Sequence, residues 1–467
     1  MKLFSIVAAV AACWFNSSAP AQSLFPRISA PIHPDEIKSF AVDAWLSDEQ
    51  SAAIGELHFE YERRHTGEAG PLREIAAEDR REATLIYSQP GRVSPIADLM
   101  RDAAISSSNY EGVASRIESS FFKSASGLLT PDQQFLLRRW QLARRRYALR
   151  PSTVELPLGR VDPFVLLAEL VEDDDSHPRS VIPAYYVEDR LRGSREWLAE
   201  REELYVAALA AAARSREAAN RVRFRLMDID LEMREASEIV DQARIAALQD
   251  EVERLSGRYG ASVAPASRAL HDYVSFLLDE FDREIDPEVS SQLRHESMSQ
   301  AYGVFYSNPE SLVDVFDRLL RIEGLSDELK QAVQEIGDRY ARQQGELSRE
   351  LCSLQFEFMY VAMRSAKDWI ADRGELASSI YDRLIARQTH DAETREVLVA
   401  TLGSEVASEL RFPAPHSNEI DRVLALYMTP EQRREELAQA RAARAEEIRA
   451  RREARRDDPR RRTDGDG

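Results

Sequence analysis

The sequence predicts an all-α protein that is elongated and built around long, coiled-coil-like helices. Apolar residues recur at alternating steps of three and four over extended stretches, which is the spacing of one helix face. Several helix starts are marked by a capping side chain followed directly by proline. No run of strand length alternates between apolar and polar residues, so no sheet is expected.

Residues 1–21 are predicted to be a secretory signal peptide. Lys2 precedes an apolar stretch that is too short for a membrane anchor, and Ala19-Pro20-Ala21 provides the small residues of a cleavage site. An alternative reading places Cys13 in a lipoprotein cleavage box. No later stretch is apolar enough to span a bilayer. The mature chain is therefore expected in the periplasm or another extracytoplasmic compartment, with no integral membrane span.

Composition divides the rest of the chain into five segments. They are a flexible, proline-containing leader at 22–40, an N-terminal helical module at 41–150, a proline-rich acidic connector at 151–190, a long helical and coiled-coil module at 191–411, and a charged helix with an arginine-rich tail at 412–467. Two interpretations of the tail are open. It is either a solvated helix with a disordered end, or a contact for an anionic lipid, a wall polymer or an acidic protein face.

Two apolar seams predict the long helices. No glycine or proline lies between residues 194 and 257, so we expect one continuous helix there, able to pack with another helix or with a second chain. A second seam covers residues 329–361. The seam positions are Val222, Leu226, Ile229, Met233, Ala236, Val240, Ala243 and Ala247 in the first, and Leu329, Val333, Ile336, Tyr340, Gln343, Leu347, Leu351, Leu354, Phe358 and Val361 in the second.

Five helix starts combine a capping residue with a proline, whose missing N–H costs nothing in the first turn. They are Thr130-Pro131, Asp162-Pro163, Asp286-Pro287, Asn308-Pro309 and Thr429-Pro430.

Charge and motif content argue against several functional classes. The formal net charge of −19 disfavours nucleic acid as a partner. Cleavage of the signal peptide would leave Cys352 as the only cysteine, which precludes an intramolecular disulfide. The sequence has no phosphate-binding glycine loop, Gly-x-Ser-x-Gly elbow or His-Glu-x-x-His motif. Glu62 and His65 have the spacing of half a di-iron site, but no second such pair follows. We therefore expect no catalytic residues, no cofactor and no metal.

One short pattern occurs three times at predicted helix starts. An apolar residue precedes Ser or Thr, and Gln follows three positions after the hydroxyl residue, which is the arrangement of a capping box. Capping does not explain the apolar residue, because the fourth helical positions are polar and cannot complete a hydrophobic staple. The apolar residues must therefore pack elsewhere. The copies are Leu46, Ser47 and Gln50; Leu129, Thr130 and Gln133; and Met428, Thr429 and Gln432.

These residues resemble the Leu-Thr-x-x-Gln motif of the Spy and CpxP family of periplasmic chaperones. The resemblance implies helices that hold unfolded proteins on a concave surface of an antiparallel dimer without ATP, in some members under envelope or metal stress. This chain departs from the family in its greater length, in the wide separation of its motifs and in its long helices.

The leading hypothesis is an exported, non-catalytic binding protein, either a Spy-like chaperone or an envelope-stress protein. Its partner would be an unfolded client or another copy of the chain, and a homo-oligomer is expected. The alternative is a structural coiled-coil protein that assembles with itself or with an envelope protein. A third class is a metal-dependent enzyme built around Glu62 and His65.

Overall fold

A computed structural model describes residues 28–87, 96–149, 156–171, 195–238, 241–309, 311–322, 325–364, 366–408, 412–413, 423 and 427. Their regular secondary structure is helical, without a strand in these ranges, which confirms the predicted all-α class. The predicted signal peptide and the third copy of the motif, Met428 to Gln432, lie outside the described residues.

The chain forms two compact units, one comprising Met1–Gly303 with Met359–Ala371, the other Val304–Phe358 with Asp372–Gly467. The first unit contains α1 (Pro34–Asp43), α2 (Asp48–Arg64), α3 (Gly70–Tyr87), α4 (Ile96–Ser126), α5 (Pro131–Ala148), α6 (Pro163–Val171), α7 (Arg195–Glu238), α8 (Gln242–Glu284) and α9 (Pro287–Tyr302). The second contains α10 (Val313–Leu320). Each unit contains parts of α11 (Asp327–Arg364) and α12 (Ala366–Ser408).

Helices α1 to α5 share a core of aromatic side chains. Trp140 of α5 is fully buried, with Phe40 stacked on its ring at a centroid distance of 5.2 Å and Phe122 against it at 5.1 Å. Arg144, one turn further along α5, forms ion pairs with Glu36 of α1 at 2.8 Å and Glu118 of α4 at 2.9 Å. Helix α5 therefore ties the first helix to the fourth through both apolar and charged contacts.

The prediction of one continuous helix from 194 to 257 is wrong. Helix α7 ends at Glu238, and Asp241 caps the start of α8 by accepting a hydrogen bond from the Arg244 backbone N–H at 3.0 Å. Arg225 pairs with Glu251 at 3.1 Å, which shows that α8 runs back antiparallel along α7. Only the α7 part of the predicted seam packs in this hairpin. Ala243 and Ala247 are exposed, because α8 presents a different set of apolar residues to α7 after the turn, and Val240 lies outside the described residues. Ile229 and Met233 of α7 pack with Leu248, Val252 and Leu255 of α8.

A glycine in α8 allows another helix to approach closely. A Cβ atom at Gly260 would lie 1.8 Å from the carbonyl oxygen of Arg364, near the end of α11. No side chain fits in that space, whereas Gly257, one turn earlier, has open space around its Cα. The contact between α8 and the end of α11 therefore depends on glycine at position 260.

A buried ion network joins α5 to α7 and to the start of α6. Glu202 of α7 accepts hydrogen bonds from Arg139 at 2.6 Å and from Arg146 at 2.8 Å, and only 1% of its surface is exposed. Arg146 also donates to both carboxylate oxygens of Asp162 at 2.8 Å. Burial lowers the pKa of Arg146, but the charges of Asp162 and Glu202 outweigh this effect and hold the pKa above its ordinary value. Two guanidinium groups are thus neutralised by two carboxylates away from water.

Three of the five predicted helix starts are confirmed. Helices α5, α6 and α9 begin at Pro131, Pro163 and Pro287, as the capping pairs predict. No helix begins at Pro309, so that prediction is wrong. The Asn308 side chain bonds to Asp391 of α12, and the next helix begins only at Val313. Thr429-Pro430 lies outside the described residues.

The second seam is present with one change of position. In the second unit, α11 buries Val333, Tyr340 and Leu347, as predicted, but Gln344 is buried in place of Gln343. The core of this unit consists of Leu312, Val315, Phe316, Leu319, Val333, Tyr340, Leu398 and Leu402. Gly403 interrupts α12 with non-helical angles, φ 78° and ψ 158°, which places a kink five residues before the helix ends.

Candidate functional site

The first two copies of the repeated pattern form capping boxes with the same backbone geometry. Ser47 and Thr130 both have φ −66° and ψ 162°. The Ser47 hydroxyl accepts from the Gln50 N–H at 3.2 Å, and the Gln50 side-chain oxygen accepts from the Ser47 N–H at 3.1 Å. The corresponding distances between Thr130 and Gln133 are 3.4 and 3.0 Å. Each glutamine thus satisfies a backbone donor at a helix start.

The two capping boxes also bind each other. The Gln50 amide nitrogen donates to the Gln133 side-chain oxygen and to the Leu128 carbonyl, both at 2.9 Å. The Gln133 amide nitrogen donates in return to the Gln50 side-chain oxygen and to the Ala44 carbonyl, both at 3.2 Å. Each glutamine side chain therefore donates one hydrogen bond to the other and accepts one from it. We refer to Ser47, Gln50, Thr130 and Gln133 together as the paired caps.

The apolar residues that capping left unexplained pack into the aromatic core. Leu129 is 7% exposed and belongs to the cluster around Trp140, and Leu46 packs against the same cluster. The apolar residue therefore anchors each helix start to the core, while its glutamine binds the other start.

Trp45, which follows helix α1 and precedes the first capping box, has an unusual conformation. Its φ of 45° lies in the left-handed region, where a residue with a side chain costs about 1–2 kcal/mol relative to glycine. Its backbone N–H donates to the Val42 carbonyl at 3.1 Å, and its own carbonyl accepts from Gln133 at 3.5 Å. Its side chain is 79% exposed. The fold thus holds a large aromatic residue in a strained turn and presents it to solvent.

Exposed apolar and acidic residues lie close to Trp45 in the chain or are linked to it through the paired caps. Val42 lies three residues before it, and Leu128 is connected to it through the amide groups of the paired caps. The first turns of α2 and α5 add exposed carboxylates, as is usual at the positive end of a helix dipole. We refer to Val42, Trp45, Asp48, Glu49, Leu128 and Asp132 as the cap patch.

The surroundings of Glu62 and His65 differ from those of a metal site. His65 begins a short π-helical segment, His65–Ala69, and is buried. Its Nε2 atom lies 3.4 Å from the Tyr110 hydroxyl. Burial lowers the pKa of His65, and the charges of Arg73 and Arg144 lower it further. Among the described residues, no group of three or more His, Cys, Asp or Glu side chains is placed to hold a metal ion.

The second unit contains a buried polar cluster that the sequence did not predict. The Tyr340 hydroxyl donates to one oxygen of Asp391 at 2.7 Å, and the Asn308 amide donates to the other at 2.7 Å. The His390 ring stacks on Tyr340 at a centroid distance of 5.1 Å. Burial raises the pKa of Asp391 despite the opposing effect of these hydrogen bonds and of Arg387. The sequence predicts a helix cap at Asn308 and a seam position at Tyr340, and neither pattern points to Asp391.

The same cluster fixes the segment that precedes α10. The Arg387 guanidinium is fully buried and donates to the carbonyls of Val304 at 2.7 Å and Phe305 at 3.0 Å. Tyr340 accepts from the Leu312 N–H at 3.0 Å. These contacts connect α11 and α12 to the segment 304–312, which gives the cluster a structural role.

Cys352 is also buried in the second unit. Burial raises the pKa of its thiol to about 12, although the charge of Arg387 lowers it. Such a thiol is almost entirely protonated near neutral pH and is a poor nucleophile.

Among the described helices, none combines the length and the apolarity needed to cross a bilayer. Comparison with protein-family models, with curated proteins and with solved structures gave no match.

Proposed function

We propose that this protein is an exported, non-catalytic, helical binding protein that holds partly unfolded chains without ATP, in the manner of the Spy and CpxP chaperones or of an envelope-stress protein. The signal-peptide pattern of residues 1–21 supports a periplasmic or other extracytoplasmic location. The repeated capping motif supports the resemblance to that family.

The exposure of Trp45 is the single observation that carries the proposal. A strained backbone persists only where its surroundings hold it in place, and such strain is concentrated at functional sites. The paired caps provide the restraint, because Gln133 bonds to the carbonyls on both sides of the turn, those of Ala44 and Trp45. An exposed aromatic side chain on a restrained backbone offers a large apolar contact, and aromatic side chains lose little conformational entropy on binding.

The composition of the cap patch is consistent with weak, general protein binding. Val42, Trp45 and Leu128 offer apolar area, while the neighbouring carboxylates keep the surface hydrated. An apolar surface with a polar rim is the usual composition of a protein-binding region.

An aggregation assay tests this function. The mature chain, residues 22–467, is mixed with a chemically reduced or heat-unfolded client protein, and light scattering is followed over time. We expect aggregation to be suppressed at near-stoichiometric amounts. Unchanged scattering at several-fold excess of the protein would refute the proposal.

A variant pair assigns the activity to the cap patch. Trp45→Asn removes the aromatic ring and places at this position a residue that tolerates the left-handed conformation. We therefore expect unchanged or slightly higher stability together with a marked loss of suppression. Ile105→Ala, at an exposed apolar position of α4, serves as the control and should suppress aggregation as well as the wild type.

The second candidate function is structural self-assembly, favoured by an exposed apolar pair on the α7–α8 hairpin. Leu204 and Phe276 are both exposed, and Tyr273 donates to the Arg201 carbonyl at 3.0 Å, which places these two stretches side by side. Sedimentation velocity distinguishes this function. A stable oligomer that dissociates in the variant Leu204→Ser/Phe276→Ser would favour it, and a monomer at all concentrations would exclude it.

A further inference from the structure

We propose that the cap patch selects partner segments that combine large apolar side chains with lysine or arginine. This inference rests on the proposed function, since it concerns which unfolded segments the same surface binds. The surface would bind an extended polypeptide segment that is both cationic and apolar.

The paired caps bring the apolar and acidic side chains together. The carbonyls of Trp45 and Leu128 are bonded to the same pair of glutamine amides, so the two exposed apolar residues lie on either side of that pair. The first turns of α2 and α5 start within five residues of them in the chain. A segment lying across both apolar residues would therefore pass close to the first turns of both helices.

The charged side chains of the cap patch all carry negative charge. Asp48 and Glu49 in the first turn of α2 and Asp132 in the first turn of α5 are exposed. The stretches 42–50 and 127–134 contain no lysine or arginine. Of the cationic residues that flank them, Lys38 pairs with Asp35 and Arg138 with Glu203, and Lys123 lies in the last turn of α4. The surface thus offers apolar contact next to a local negative potential. Such a surface attracts cationic segments and repels acidic ones.

The apolar contact provides the binding, and the acidic side chains make that binding selective for positive charge. Exposed ion pairs contribute little individually and are screened by salt. Three carboxylates acting together should give about a tenfold preference for a cationic over an anionic segment at low ionic strength, and this preference should decrease as salt is added.

The test uses two fluorescein-labelled peptides with the same leucine and phenylalanine core, one flanked by four lysines and the other by four glutamates. Fluorescence anisotropy measures their dissociation constants with the mature chain at low and high salt. We expect the lysine peptide to bind about tenfold more tightly at low salt, with the ratio approaching one at high salt. Equal affinities at low salt would overturn the inference.

Two triple variants separate the patch from the net charge of the whole chain. Asp48→Asn/Glu49→Gln/Asp132→Asn should lose the preference. The control makes the same change in net charge at exposed positions of α10 and α11, and it should keep the preference: Asp314→Asn, Asp317→Asn and Glu328→Gln. An equal loss of preference in both variants would assign the effect to net charge and overturn the inference.

The same experiment distinguishes this inference from the proposed function. If the wild type suppresses aggregation and both peptides bind equally, selectivity fails while client binding stands. If neither peptide binds and Trp45→Asn suppresses aggregation as well as the wild type, the cap patch is not the binding surface and the inference fails with it.

Discussion

Replacing Glu202 by glutamine should cause one of the largest losses of stability available to a single polar substitution in this chain. Glu202 neutralises two arginines, and its two oxygens each accept one guanidinium hydrogen bond, from Arg139 and from Arg146. Glutamine keeps a single acceptor and turns an amide N–H₂ group towards a guanidinium donor. Asp162 is then the only carboxylate of the network, so one positive charge stays buried without compensation.

The expected loss in the free energy of unfolding follows from the burial of Glu202. Removing one partner of a buried ion pair costs about 3–5 kcal/mol, which is a large part of the roughly 5–15 kcal/mol that stabilises a typical domain. With an m-value of about 3 kcal/mol/M, the urea midpoint for unfolding of the first unit should fall by about 1–2 M. Circular dichroism at 222 nm and tryptophan fluorescence, recorded on the same samples, measure the midpoint.

The neighbouring residue provides a matched control. Glu203 lies next to Glu202 in α7 and pairs with Arg138 at 2.7 Å, but both of these side chains are partly exposed. Glu203→Gln should therefore cost less than about 1 kcal/mol. If the two variants lowered the midpoint equally, or if Glu202→Gln changed it by less than about 0.3 M, the buried network would not contribute as argued.

Three further predictions concern other contacts. Gln50→Ala and Gln133→Ala should show a coupling free energy of about 0.5–3 kcal/mol in a double-mutant cycle, because their amides bond to each other, and strictly additive effects would contradict the pairing. Gly260→Ala should lower the free energy of unfolding by about 1–3 kcal/mol through overpacking, whereas Gly257→Ala should raise it by about 0.5–1 kcal/mol, as measured by urea unfolding. The raised pKa of Asp391 means that its contribution to the stability of the second unit is present below its unfolded pKa of 3.8 and is lost as the pH rises through the folded value. Asp391→Asn should remove this part of the pH dependence of the urea midpoint between pH 3 and 7, and an unchanged profile would contradict it.

The sequence predicted the local features well because they depend on neighbouring residues. The capping boxes at Ser47 and Thr130 require only side chains within one helical turn. The reciprocal bonds between Gln50 and Gln133 could not be predicted, because the two residues are 83 positions apart and a single capping box satisfies the local donors equally well. The sequence did indicate that Leu129 must have a tertiary partner, which the structure places in the core.

The error at residues 194–257 has a general physical cause. An apolar seam shows which helix face is buried, but not whether the covering helix belongs to another region, to another chain or to the same stretch folded back. Asp241 alone marks the turn, and aspartate is also common on helix surfaces. The absence of glycine and proline therefore did not ensure a continuous helix.

The buried polar groups were missed for a related reason. Glu202 and Asp391 lie in stretches rich in charge, where exposure is the usual expectation for a carboxylate. Only the partners brought together by folding, such as Arg139 with Glu202 and Tyr340 with Asp391, make their burial possible.

An unfolded client should contact the protein at the cap patch. Photo-crosslinking tests this contact directly. A photo-reactive phenylalanine analogue replaces Trp45 in one variant and Ile105 in a control variant. Each mature chain is irradiated with a reduced client, and the adducts are mapped by mass spectrometry. We expect client adducts at position 45 that decrease as salt and competing lysine peptide are added, with few adducts at position 105. Equal adduct formation at the two positions, or none at position 45 while aggregation is still suppressed, would contradict this expectation.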